Sequence, residues 1–74
     1  MALVSNLKKE NLERDVSHSI VDSTYSIINN ENGKFLQIDT YGSNKRQIRG
    51  KKSQSIRLTK DAISQLKRII DNEF

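Results

Sequence analysis

Seven of the chain's thirteen basic side chains fall in one short stretch. Lys45, Arg46, Arg49, Lys51, Lys52, Arg57 and Lys60 lie between Thr40 and Lys60 with no acid among them. Like charges held this close repel one another, and the repulsion is relieved when phosphates neutralise them and release condensed counterions. The rest of the chain is acidic on balance. Residues 1–39 hold four Lys/Arg against six Asp/Glu, and residues 61–74 hold two against three, so the formal net charge of +4 hides +7 in the middle. Gly50 stands inside the run, where a missing side chain lets the backbone turn sharply or approach a ligand closely. Ser43, Asn44, Gln47, Ser53, Gln54 and Ser55 are interspersed, and such side chains hydrogen-bond phosphate, sugar and base edges. The pattern points to nucleic acid ahead of a merely solvated loop. An anionic lipid surface fits less well, because the run holds few bulky apolar residues to enter a headgroup layer.

Catalytic chemistry finds little footing. A nucleophile needs a base to activate it, and the only side chain that titrates near neutrality is His18, in a plain Val16-Ser17-His18-Ser19 stretch that reads as surface. The carboxylates are scattered among basic neighbours without a close pair for acid–base work. With no cysteine and one histidine, neither a disulfide nor a zinc set is expected, and no cofactor is implied. Gly50-Lys51-Lys52-Ser53 resembles only the end of a phosphate-binding G-x-x-x-x-G-K-[ST] loop, and Lys45 stands where its leading glycine belongs. The expectation is a protein that binds and does not catalyse.

The elements that position the basic run follow from periodicity. Ala62, Ile63, Leu66, Ile69, Ile70 and Phe74 recur at spacings of three and four, which predicts a helix from about Lys60 to Glu73 with Thr59 as its N-cap and Asp61 in its first turn. That stripe is core or dimer interface. Gln54, Ile56 and Leu58 alternate with Ser53, Ser55 and Arg57, the period of a strand with Ile56 and Leu58 inward and Arg57 outward. Phe35 to Tyr41 reads as another strand, with Leu36 and Ile38 on one face and Phe35, Gln37, Asp39 and Tyr41 on the other. Ser23 to Ile28 precedes it across an Asn29-Asn30-Glu31-Asn32-Gly33 turn, making a hairpin. An extra strand at Lys45 to Arg49 would complete a β-β-β-β-α order. The fold class is therefore α+β, an antiparallel sheet of three to four strands followed by a C-terminal helix. Residues 21–74 form one small domain, and residues 1–20, with Leu3, Leu7, Leu12 and Val16 loosely spaced, form a short helix or an arm.

Size adds one more expectation. A domain of 74 residues with 34% apolar content and four aromatics has a thin core, and the usual compensations are disulfides, metals or a partner subunit. The first two are absent here, so a homodimer is expected. The N-terminus lacks the apolar run of a signal peptide, and no segment approaches the roughly 20 apolar residues of a membrane helix. A cytoplasmic protein, nucleoid-associated if it binds DNA, is the corresponding location.

From the second strand onward, Leu36-Gln37-Ile38-Asp39-Thr40-Tyr41, then the basic loop with Gly50-Lys51-Lys52, then Ile56 to Lys67 with its Gln65-Leu66-Lys67 segment, the chain resembles the positive cofactor four family of single-stranded-DNA-binding transcriptional coactivators. The resemblance covers about 40 of the 74 residues. It implies a four-stranded antiparallel sheet, dimerised through the following helix, with the sheets forming a basic groove for single-stranded DNA. It also implies phosphate contacts from Lys45, Arg46, Arg49, Lys51, Lys52 and Arg57, and base stacking on Phe35 and Tyr41. The chain departs from the pattern at Ile63, where the family usually has tryptophan, and by two extra residues between Gly50 and Ile56.

Two other readings stay open. Ser53 to Ile70 also suits a ribbon-helix-helix-like duplex binder, although that fold calls for a second helix, for which the residues up to Phe74 leave no room. A small interaction module or inhibitor binding an acidic protein uses the same patch, since a surface complementary to phosphates is also complementary to carboxylates.

Overall fold

In the computed structural model the described residues are 1–42 and 52–74. The expected extra strand at Lys45 to Arg49, and Gly50 with it, lie outside the described residues. The chain forms β1 (Ala2–Val4), β2 (Ser23–Asn30), β3 (Gly33–Tyr41), β4 (Lys52–Leu58) and α1 (Lys60–Glu73). The class is α+β, a four-stranded sheet followed by a C-terminal helix.

The hairpin of β2 and β3 is pinned at its tip by local chemistry. Neither Glu31 nor Asn32 takes a positive φ; Gly33 does so instead, at 131°, a value that side chains with a Cβ rarely adopt. Asn30 Oδ1 accepts from the Asn32 N–H at 2.8 Å and closes the turn from the side. Ile27 then stands opposite Leu36, and Tyr25 opposite Ile38. On the other side of β3, Leu36 pairs with Leu58 and Ile38 with Ile56. One face of the sheet is thus apolar, as the alternation requires, and Phe35, Gln37, Asp39, Ser55 and Arg57 occupy the other.

The sheet is mixed. Its order is β1-β4-β3-β2, and β1 runs parallel to β4 with Ala2, Leu3 and Val4 opposite Ile56, Arg57 and Leu58. The fourth strand is therefore N-terminal, and the helix considered for the first 20 residues does not form. Extended Ala2–Val4 places Val4 on the apolar face beside Leu58 and supplies the Val4 carbonyl to the Thr59 N–H at 3.1 Å. Three strand residues satisfy more of the sheet than a weakly amphipathic turn would.

The helix is well specified at its start. The Thr59 side chain accepts from the Ala62 N–H at 3.1 Å, and Asp61 sits in the positive first turn. The helix lies against β3 and β4. Among the described residues, Ala62 and Leu58 are the buried apolar ones, at 0% and 4% exposure. Ile56, expected inside, is 39% exposed. Leu58 sits beside the point where the chain turns into the helix, whereas Ile56 is two residues upstream and only partly roofed.

Replacing Thr59 by alanine removes the cap and should destabilise the protein by about 1 kcal/mol. Urea unfolding should register the loss, while Ser64→Ala, at an exposed helix position, should change stability by less than about 0.5 kcal/mol.

Candidate nucleic-acid interface

The sheet face opposite α1 collects the polar and aromatic side chains of β3 and β4. At one end, the Arg57 guanidinium carbon lies 5.9 Å from the centre of the Phe35 ring, a cation–π distance. Arg57 Nε and Nη2 donate to Gln37 Oε1 at 3.0 and 2.6 Å. Gln37 Nε2 in turn donates to both carboxylate oxygens of Asp39, at 3.2 and 3.1 Å. An amide has one acceptor end and one donor end, so the carboxylate of Asp39 dictates which end of Gln37 meets Arg57. The guanidinium is therefore aimed by a residue it does not touch.

Asp39 is the buried acid of this face, at 2% exposure. Hydrogen bonds from Ser55, Gln37 and Lys52, together with the Lys52 charge, hold its carboxyl below the ordinary value of 3.8, against the opposing effect of burial. Lys52 Nζ lies 3.4 Å from Asp39 Oδ2, with about half its side chain still exposed. Lys52 was expected to serve a phosphate, and its charge is already shared with Asp39. At the far end, the Tyr41 hydroxyl lies 3.1 Å from Thr24 Oγ1. Six residues of strand separate Phe35 from Tyr41, about 20 Å at the rise of an extended chain. The two rings are therefore well apart on this face and not an adjacent pair.

Near Phe35 the face opens into a groove of about 590 Å³ lined by Leu3, Asn30, Asn32, Phe35, Ser55 and Arg57, among others. The amides and Arg57 offer donors around an apolar floor, the mixture that planar, polar-edged ligands require.

The residues expected to contact nucleic acid divide. Phe35, Tyr41, Lys52 and Arg57 belong to the open face, whereas Lys45, Arg46, Arg49 and Lys51 lie outside the described residues. Arg57 is half-buried against Phe35 and Gln37, not simply outward. On α1, Ile63 and Leu66 are half-buried, Ile69 and Ile70 are 40% and 47% exposed, and Phe74 is 96% exposed. Gln37 and Asp39 were not anticipated as site residues, and Ser55, expected to serve a ligand, bonds Asp39 instead. Their signal was the alternation that put Gln37 and Asp39 on the face of Phe35 and Tyr41, and the position of Asp39 as the last acid before the basic run.

Among the described residues, no group of three or more His, Cys, Asp or Glu side chains is placed to hold a metal ion. His18 is exposed, with Nδ1 2.7 Å from the Val16 carbonyl oxygen. No helix of the described residues is long and apolar enough to cross a membrane. The chain matches no family model, no curated protein and no solved structure.

A carboxyl whose folded pKa is depressed stabilises the fold at pH values above its unfolded value and loses that contribution as pH falls through the folded one. Asp39→Asn should therefore be less stable than the wild type at neutral pH. Below 3.8 the gap should close. Urea midpoints measured across that range check this, and a gap independent of pH would show that the Asp39 charge is not what stabilises the face.

Proposed function

We propose that the chain is a non-enzymatic nucleic-acid-binding protein, with single-stranded DNA as the favoured ligand. It uses the open sheet face and the basic run that continues from it, and works as a homodimer. The observation that carries this reading is the common placement of Phe35, Tyr41 and Arg57 on the face opposite α1, with the acid-free stretch from Thr40 to Lys60 joining β3 to α1 by way of β4. Single-strand binders combine cationic groups that track the backbone with aromatic rings on which bases stack, each stacked base being worth roughly 1 to 3 kcal/mol. The resemblance to the positive cofactor four family supports the same ligand and the same roles for Phe35, Tyr41, Lys45, Arg46, Arg49, Lys51, Lys52 and Arg57. A cytoplasmic or nucleoid location accompanies this reading.

Stacking explains the preference for single strands. In a duplex the base faces are occupied by their neighbours, so Phe35 and Tyr41 gain nothing from it, and only the charge attraction remains. An acidic protein partner would likewise use the basic run and leave the aromatic residues idle.

Titration with a labelled oligo-dT, alone and then hybridised, separates these cases. Tight binding to the single strand and weaker binding to the duplex is the expected result; no binding to either at low salt would overturn the proposal. Phe35→Ala should weaken single-strand binding by roughly 1 to 3 kcal/mol with little change in salt dependence. Arg49→Ala with Lys51→Ala should flatten the plot of log affinity against log salt by about 0.7 per lost phosphate contact, with stability nearly unchanged.

A further inference from the structure

We infer that the outer edge of β2, with the bare strip of apolar face beside it, is the surface on which a second copy of this chain docks. The two β2 strands pair antiparallel and join the two sheets into one. This refines the homodimer of the proposed function by naming its surface, and it holds or fails independently of the ligand.

The first support is area. A folded monomer of 8.5 kDa exposes about 4,650 Å² by the usual scaling of surface with mass. This chain exposes 6832 Å². The excess is about 2,200 Å²; residues 5–22, which form no helix or strand and are exposed nearly throughout, supply part of it, and the roughly 800 Å² that each partner contributes to a standard stable interface fits within it.

The second support is where the apolar part of that surface lies. The helix rests on β3 and β4, and on the same sheet face Tyr25 and Ile27 of β2 are 73% and 57% exposed. On the opposite, polar face, their neighbours Ser26 and Ile28 are more covered. Beta-branched and aromatic side chains placed on the helix side of a sheet normally meet a core; here the described residues leave them mostly exposed.

The third support is the strand itself. β2 ends the sheet and spans eight residues, Ser23–Asn30, without a charge or a proline. Edge strands of proteins that stay monomeric are usually short or guarded by lysine, proline or a bulge. β1, the other edge, is three residues long and fits that rule. An uncharged edge is also self-complementary. Two-fold pairing brings the same residues together from both copies, and it creates no repulsion when those residues are neutral.

Geometry narrows the register. Directly opposed residues of an antiparallel pair share a face, so the two-fold axis must pass through a residue and not between two. Centred on Ser26, it sets Tyr25 of each copy opposite Ile27 of the other, an aromatic against a β-branched side chain, the kind of cross-strand pair that stabilises sheets. The sheet then runs β1-β4-β3-β2 followed by β2-β3-β4-β1. The two open faces become continuous, and the stacking points of Phe35 and Tyr41 are doubled along one surface.

Three measurements on the full chain test this. Sedimentation equilibrium of the wild type should give twice 8.5 kDa, and a single-chain mass at high concentration would overturn both this surface and the homodimer. Tyr25→Glu with Ile27→Glu should give a single-chain mass with the far-ultraviolet circular dichroism of the wild type. A dimer that survives this change but is broken by Ile70→Glu would keep the homodimer and overturn the β2 surface in favour of the helix. Should the double variant unfold, Ser26→Cys decides. The chain has no other cysteine, and opposed strand residues lie within disulfide reach. Oxidation should link the Ser26→Cys protein into covalent dimers at least tenfold faster than Ser64→Cys on the helix. Equal rates would overturn the register and the surface together.

Discussion

The contact on which the molecule depends is the one between the start of α1 and the β3–β4 pair, made by Ala62 and Leu58. Among the described residues no other apolar side chain is buried as fully, so this contact is where the packing comes nearest to a protein interior. Its geometry is set within a few residues. β4 ends at Leu58, Thr59 takes an extended conformation and caps the helix, and Ala62 is driven onto the sheet one turn later. The Val4 carbonyl binds the Thr59 N–H at the same junction, so the short parallel strand is tied to the point where the sheet becomes helix. A small side chain is needed at Ala62 because the helix axis must approach the sheet closely there, and a bulky one would lift the helix from Leu58.

One helix cannot roof four strands. By lying over β3 and β4 it leaves the apolar side of β2 largely bare, and no helix of the described residues lies on the opposite face. The two faces then differ in chemistry. The face under the helix is aliphatic and incomplete, and its deficit falls at the β2 edge. The open face is polar and internally organised, with a chain of contacts from Lys52 through Asp39 and Gln37 to Arg57 and Phe35. A buried carboxylate on such a face would repel phosphates if it stood alone. Here Lys52 offsets its charge, and its hydrogen bonds orient the amide that orients the guanidinium. It acts as a brace for Arg57 more than as part of the electrostatic field.

Much of the fold was legible in the residues. The helix limits, the Thr59 cap, the hairpin and the separation of Leu36 and Ile38 from Phe35, Gln37, Asp39 and Tyr41 all follow from local rules: side-chain period, capping geometry and the conformational freedom of Gly33. The first strand was not legible, because three residues are too few to display a period, and because Ala2–Val4 is extended only by virtue of the partner strand it meets. The candidate site was half legible. Phe35, Tyr41 and Arg57 were identified by type and face, while the brace of Gln37, Asp39 and Ser55 was not, since each of those residues alone is an unremarkable polar strand residue.

The sequence by itself determined the class of fold, the sides of each strand and the concentration of positive charge between Thr40 and Lys60, because these depend on neighbours within a few positions. Tertiary structure alone decided that the N-terminal residues join the sheet in parallel with β4, that Arg57 lies on Phe35 and not free in solvent, and that β2 ends the sheet with Tyr25 and Ile27 uncovered. Those outcomes depend on which strands lie side by side and on how far a 14-residue helix reaches across them. Such long-range pairings are settled by competition among whole-chain arrangements, and no local pattern records the result.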